Sequence, residues 1–147
     1  MNILEQINND VVVAMKNGDK NLLSTLRMAK NALQMEKIKL NHDLSNEEII
    51  TTLKRQVKQK EDSIVEYSKY NKMDTVDDLK KEIVIIKAYL PEELSIDEIN
   101  KGLDEIFSTV KPTGMKDMKI LMSEADKLFG VRADKKTLSE LIRSRLN

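Results

Sequence analysis

Leu79–Ile99, LKKEIVIIKAYLPEELSIDEI, holds the transition that decides the fold. Leu79, Ile83, Ile86 and Leu90 step by four, three and four, the spacing that lines up one face of an α-helix. Pro91 has no N–H to donate and pushes the residue before it out of helical geometry, so that helix stops there. Ser95 with Glu98 three residues on is a capping box that opens a new helix, with Ile96, Ile99, Leu103, Ile106 and Val110 facing inward. Helix, stop and helix follow one another with no period-2 run between them.

The same grammar extends towards the N-terminus. Leu4, Ile7, Val11 and Met15 line one face of a first helix, which Asn17-Gly18 stops. Asp19 caps a second, with Leu22, Leu26, Ala29 and Leu33 inward, and this helix fades near Asn41. Arg27, next to Leu26, is expected at the edge of that stripe, paired with an acidic residue of a neighbouring helix. Ser45 and Glu48 form another capping box ahead of a long charged helix carrying Ile49, Leu53, Val57 and Ile64. Thr75 with Asp78 opens the fourth helix. Towards the C-terminus, Lys111-Pro112-Thr113-Gly114 breaks the fifth. Met115, Met118, Leu121, Met122 and Ala125 mark a sixth ended by Gly130, and Asp134 caps a seventh with Leu138, Leu141, Ile142 and Leu146 buried. The spacing predicts an all-α protein in two domains. Residues 1–90 form an antiparallel helical bundle, and residues 91–147 a small three-helix tail.

Composition narrows the function. The chain of 147 residues has 25 Lys plus Arg against 25 Asp plus Glu, so any nucleic-acid footprint is a local patch and not a global excess. It has no Cys, which excludes disulfide scaffolds, thiolate metal sites and Cys nucleophiles. The longest apolar run, Val11–Met15, is far short of a membrane span, and Met1–Asp10 has no basic residue to open a secretory signal. A cytoplasmic protein without membrane contact is expected. The lone His42 reads as an exposed loop residue with no second His to complete a metal shell. Acyl chemistry needs a nucleophile beside a base, and the sequence offers no such pair. No catalytic residue, metal or cofactor is therefore assigned.

Charge is uneven beneath the overall balance. Residues 91–106 carry six acidic side chains against Lys101 alone, whereas residues 107–147 carry nine basic against five acidic. Residues 16–60 are also basic, ten against five. The candidate RNA-binding residues are Lys116, Lys119, Lys127, Arg132, Lys135, Lys136, Arg143 and Arg145. Gly130-Val131-Arg132-Ala133-Asp134-Lys135-Lys136-Thr137 approximates a phosphate-binding loop, but Lys135 replaces its second Gly and a helix precedes it where that loop needs a strand. It reads as a helix stop followed by a capped basic helix start. Met115, Met118 and Met122 read as core spacing. Five scattered aromatics make a poor stacking platform, so an RNA ligand would be folded RNA met through phosphates and shape.

Five stretches together resemble a known family: Met15-Lys16-Asn17-Gly18-Asp19-Lys20 leading into Leu26-Arg27-Met28-Ala29-Lys30-Asn31-Ala32; Lys58-Gln59-Lys60-Glu61-Asp62-Ser63-Ile64; Tyr89-Leu90-Pro91-Glu92-Glu93-Leu94-Ser95 with Glu98-Ile99; Gly114-Met115-Lys116-Asp117-Met118 with Met122; and Gly130 with Arg132-Ala133-Asp134. Taken together they are similar to the YqeY family, freestanding bacterial relatives of the C-terminal helical and tail region of GatB, a subunit of the glutamine-dependent aspartyl/glutamyl-tRNA amidotransferase. The resemblance implies a helical domain followed by a small helical tail that docks against tRNA. Carbon-nitrogen ligase activity with glutamine as amido-N-donor belongs to the full-length relative, whose active sites lie elsewhere, and is not expected to transfer. Lys119 and Lys135 stand where the family usually has Gly, adding charge to the tail. The function expected is a non-catalytic tRNA-binding or tRNA-amidotransferase-related module. The alternative is a protein-interaction adaptor using the acidic segment after Pro91 or the long third helix.

Overall fold

The computed structural model describes residues 2–146, so Met1 and Asn147, the outer ends of the two expected domains, lie outside the described residues. These fold into α1 (Ile3–Asn17), α2 (Lys20–Leu40), α3 (Asn46–Lys69), α4 (Met73–Lys87), α5 (Ile96–Val110), α6 (Met118–Phe129) and α7 (Lys135–Leu146), with 3-10 turns at Met115–Asp117 and Gly130–Arg132. No strand occurs among the described residues. The protein is all-α, and no helix is long and apolar enough to cross a membrane.

Local chemistry places most helix starts. Asn2 accepts from the Glu5 N–H at 2.8 Å and Asp19 from the Leu22 N–H at 3.2 Å. Ser45–Glu48 and Ser95–Glu98 form complete capping boxes, each satisfying donors that a helix leaves without intrahelical partners. Asp134 takes the Thr137 N–H at 3.3 Å and starts α7.

The chain divides into two compact units, Met1–Leu90 and Pro91–Asn147. In the first, α3 packs on α4, α1 on α2, and α2 on both α3 and α4. Ile7, Leu26, Ala29, Leu33, Ile49, Leu53, Val57, Val76 and Ile86 are buried there. Two buried hydroxyls are satisfied within their own helices, Thr25 by the Asn21 carbonyl and Thr52 by the Glu48 carbonyl. Lys60 and Glu82 join α3 to α4 at 3.5 Å, with both side chains mostly buried. The Tyr89 hydroxyl donates to Asp10 Oδ2, tying the end of this unit back to α1. In the second unit, Ile99, Leu103, Ile106, Leu121, Ala125, Phe129, Ala133, Leu138 and Ile142 form one buried cluster.

Several expectations need correction. In α1 the buried residues are Ile3, Ile7 and Ala14, while Met15 is 55% exposed. The wholly apolar run Val11–Met15 fits more than one face, and the small Ala14 takes the inward position. The fourth helix starts at Met73 after Lys72, without a side-chain cap, so Thr75 lies inside it. Asn71 at φ 55° turns the chain immediately after α3 and brings the start forward. Ile96 is exposed because it is the first residue of α5, and Leu94, just before the Ser95 cap, packs on the cluster containing Ile99 instead. Met118 and Met122 pack against that cluster, but Met115, in the 3-10 turn, is exposed. Arg27 is exposed and forms no ion pair among the described residues. It projects about 100° around α2 from Leu26 and away from Ala29 and Leu33.

Candidate nucleic-acid interface

The second unit builds its surface on three helices whose inward stripes are fixed by the cluster just described. On α7, Leu138 and Ile142 are buried, with Leu141 and Leu146 packed beside them. At about 100° per residue, Lys136 and Arg143 then fall within about 20° of one another on the opposite side, about 10 Å apart along the axis. Glu140 lies between them on that same side. Both basic residues, with Lys135, are exposed. On α6, Leu121, Ala125 and Phe129 point inward, which turns Lys119 and Lys127 outward.

Three of the eight candidate residues have intramolecular partners. Arg145 donates from Nη1 to Asp104 Oδ1 at 2.6 Å and from Nη2 to the Asn100 carbonyl at 3.0 Å, and its guanidinium lies 5.4 Å from the Phe107 ring centroid. Its side chain is only 28% exposed. The signal for this was present in the sequence: Arg145 is seven residues after Leu138 and therefore on the inward stripe. Arg132 donates from Nε to the Glu92 carbonyl at 3.0 Å, closing the Pro91 segment onto the loop before α7. In the same place the Leu94 N–H donates to the Arg132 carbonyl at 3.0 Å. Lys127 pairs with Glu124 at 3.4 Å on the surface of α6. No ion pair holds Lys116, Lys119, Lys135, Lys136 or Arg143 among the described residues.

Several acidic groups near these cations are committed to the backbone. Asp117 accepts from the Thr113 N–H at 2.8 Å, which holds its carboxyl below the usual range and pins the loop before α6. The Ser95 N–H does the same for Glu98, with a smaller contribution from Arg132. Gly130, with φ 59°, ends α6, a conformation that costs a side-chain-bearing residue stability. Ala133 is extended and Asp134 caps α7, so this segment is a helix stop and restart. In the other unit, His42 Nδ1 lies 2.8 Å from the Asp43 carbonyl and Nε2 lies 3.4 Å from Glu48 Oε2. It is half exposed, in keeping with a loop residue.

Fold and surface thus define an all-helical protein whose second unit carries cations on the outward sides of α6 and α7. The family model for Yqey-like proteins matches residues 4–146, and the chain belongs to the YqeY family. A comparison with curated proteins finds no match.

Proposed function

We propose that this chain is a non-catalytic, cytosolic module that contacts tRNA or a tRNA-processing complex, in the manner implied by its likeness to the GatB tail. In this reading residues 1–90 and 91–147 are separate domains, and the second supplies the contact surface. The observation that carries it is the exposure of Lys116, Lys119, Lys135, Lys136 and Arg143, none in an ion pair among the described residues, with Asp117 and Asp134 committed to backbone N–H groups and Glu140 beside Lys136 and Arg143. Exposed cations at a helix start and along one helix side suit phosphates of a folded backbone, with no base reading required.

The test is a titration of tRNA, and of single-stranded RNA of equal length, at two salt concentrations. Weak binding of tRNA that falls steeply with salt is expected, and Lys135→Glu with Lys136→Glu should weaken it and flatten the slope while helicity is kept. Equal affinity for the two RNAs, or no binding at low salt, removes the tRNA reading. Weight would then move to a protein-interaction adaptor using the acidic segment after Pro91 or α3.

A further inference from the structure

The outward side of α2 has no role in the fold or in the proposed RNA contact. Its inward side is fixed by Thr25, Leu26, Ala29 and Leu33, all buried. Opposite these, Ser24, Met28, Asn31, Met35 and Ile38 follow one another at spacings of four, three, four and three. That is the seam pattern along which one helix takes another. Met28 is 38% exposed, Met35 63% and Ile38 70%. Three large apolar side chains along about 15 Å of one helix are too regular to be scattered surface residues.

The charge beside the seam is of one sign. Arg27 flanks it on one side and Lys39 on the other, with Lys20 at its start, and all three are exposed. The sole acidic residue of α2, Glu36, is turned towards α3 and meets Arg55 Nη1 at 3.4 Å. Nothing acidic on α2 therefore competes for these cations. A second copy laid along the same seam would oppose like charges, and phosphates would leave the methionines and Ile38 uncovered. Methionine side chains adapt to differently shaped apolar partners.

We propose that the outward side of α2 is a docking surface for an amphipathic helix of a partner protein, with an apolar stripe bordered by Glu or Asp. Its apolar side chains cover Met28, Met35 and Ile38, and its carboxylates meet Lys20, Arg27 and Lys39. The surface lies in the first unit, so its failure and that of the RNA reading are independent.

The experiment titrates the full chain with two labelled synthetic helices that share a leucine seam, one flanked by Glu and one by Lys, read by fluorescence anisotropy. The Glu-flanked peptide should bind, the Lys-flanked peptide at least tenfold more weakly. Met35→Glu with Ile38→Glu should weaken capture at least tenfold with an unchanged thermal midpoint, and Arg27→Glu should weaken the Glu-flanked peptide alone. Equal binding of both peptides, or a Kd indifferent to Met35→Glu with Ile38→Glu, overturns the proposal. So does self-association in sedimentation that is abolished by those two substitutions, which would assign the face to a second copy.

Discussion

Gly102→Ala should destabilise the protein, against the usual effect of that exchange within a helix. Gly102 lies inside α5, where alanine ordinarily stabilises by about 1 kcal/mol. A Cβ there would lie 2.5 Å from Phe129 Cζ, 2.6 Å from Cε1 and 3.0 Å from Leu128 Cδ2. Carbon atoms rest at about 3.5–4.0 Å, so the ring must retreat by about 1 Å. Phe129 is buried in the cluster of the second unit and precedes the fixed turn at Gly130, so its retreat disturbs Leu103 and Leu121 as well. Overpacking of this kind costs about 1–3 kcal/mol, leaving a net loss of about 1 kcal/mol after the helix-propensity gain. The decisive measurement is a double-mutant cycle with Phe129→Ala, by urea unfolding followed with circular dichroism. Phe129→Ala alone should cost about 3–5 kcal/mol. Once the ring is gone, Gly102→Ala should change sign and stabilise by about 1 kcal/mol. If Gly102→Ala stabilises equally in both backgrounds, the ring has room and the reasoning fails.

Arg27→Ala should leave stability within about 0.5 kcal/mol of wild type, seen as a thermal midpoint shifted by no more than about 2 °C, since its side chain is exposed and outside any ion pair among the described residues. Arg145→Ala should cost about 1–2 kcal/mol, because the Asn100 carbonyl and Asp104 lose a shared partner; Arg145→Lys should recover only part of this, lacking the planar fork. Tyr89 titrates above the ordinary phenol range, chiefly because burial disfavours its phenolate and then because it donates to Asp10. A raised pKa means that the folded state holds the proton more tightly, so its stabilisation is complete below about pH 10 and declines as pH rises beyond it. Tyr89→Phe should cost about 1 kcal/mol near neutrality and lessen the alkaline decline, and one of the three tyrosines should ionise late in an ultraviolet titration.

What the sequence made legible is what short-range chemistry determines. The Ser45 and Ser95 boxes, the Asp19 and Asp134 caps and the end of α2 at Asn41 each depend on residues within one turn, and each lies where the spacing predicts. The stripe of α2 was readable because polar residues interrupt it, whereas Val11–Met15 offers no interruption and its face had to be chosen by packing. Long-range pairings left no such mark. Tyr89 and Asp10 are 79 positions apart, and Arg145 and Asp104 are 41 apart. Gly102 reads in sequence as a weak point of a helix, and only the arrival of Phe129 explains it.

The candidate interface shows the same division within a single helix. Arg145 and Arg143 are two residues apart, hence about 200° apart around α7, so both cannot serve one surface. The first is held against α5, and charge reversal there would weaken RNA binding simply by loosening the fold. Lys136 and Arg143 sit opposite the buried stripe and form no ion pair among the described residues, so apart from a few tenths of a kcal/mol of like-charge repulsion with Glu140 their reversal acts on a ligand. Removing one cation that neutralises a phosphate should lower the salt slope by about 0.7–0.9, and Lys136→Glu with Arg143→Glu should therefore reduce it by about 1.4–1.8 if both meet phosphate. Arg145→Ala, measured at a temperature where the variant remains folded, should leave that slope unchanged. A slope reduced equally by both substitutions would show that position on α7 does not separate structural from available charge, and the outward-side argument would fall.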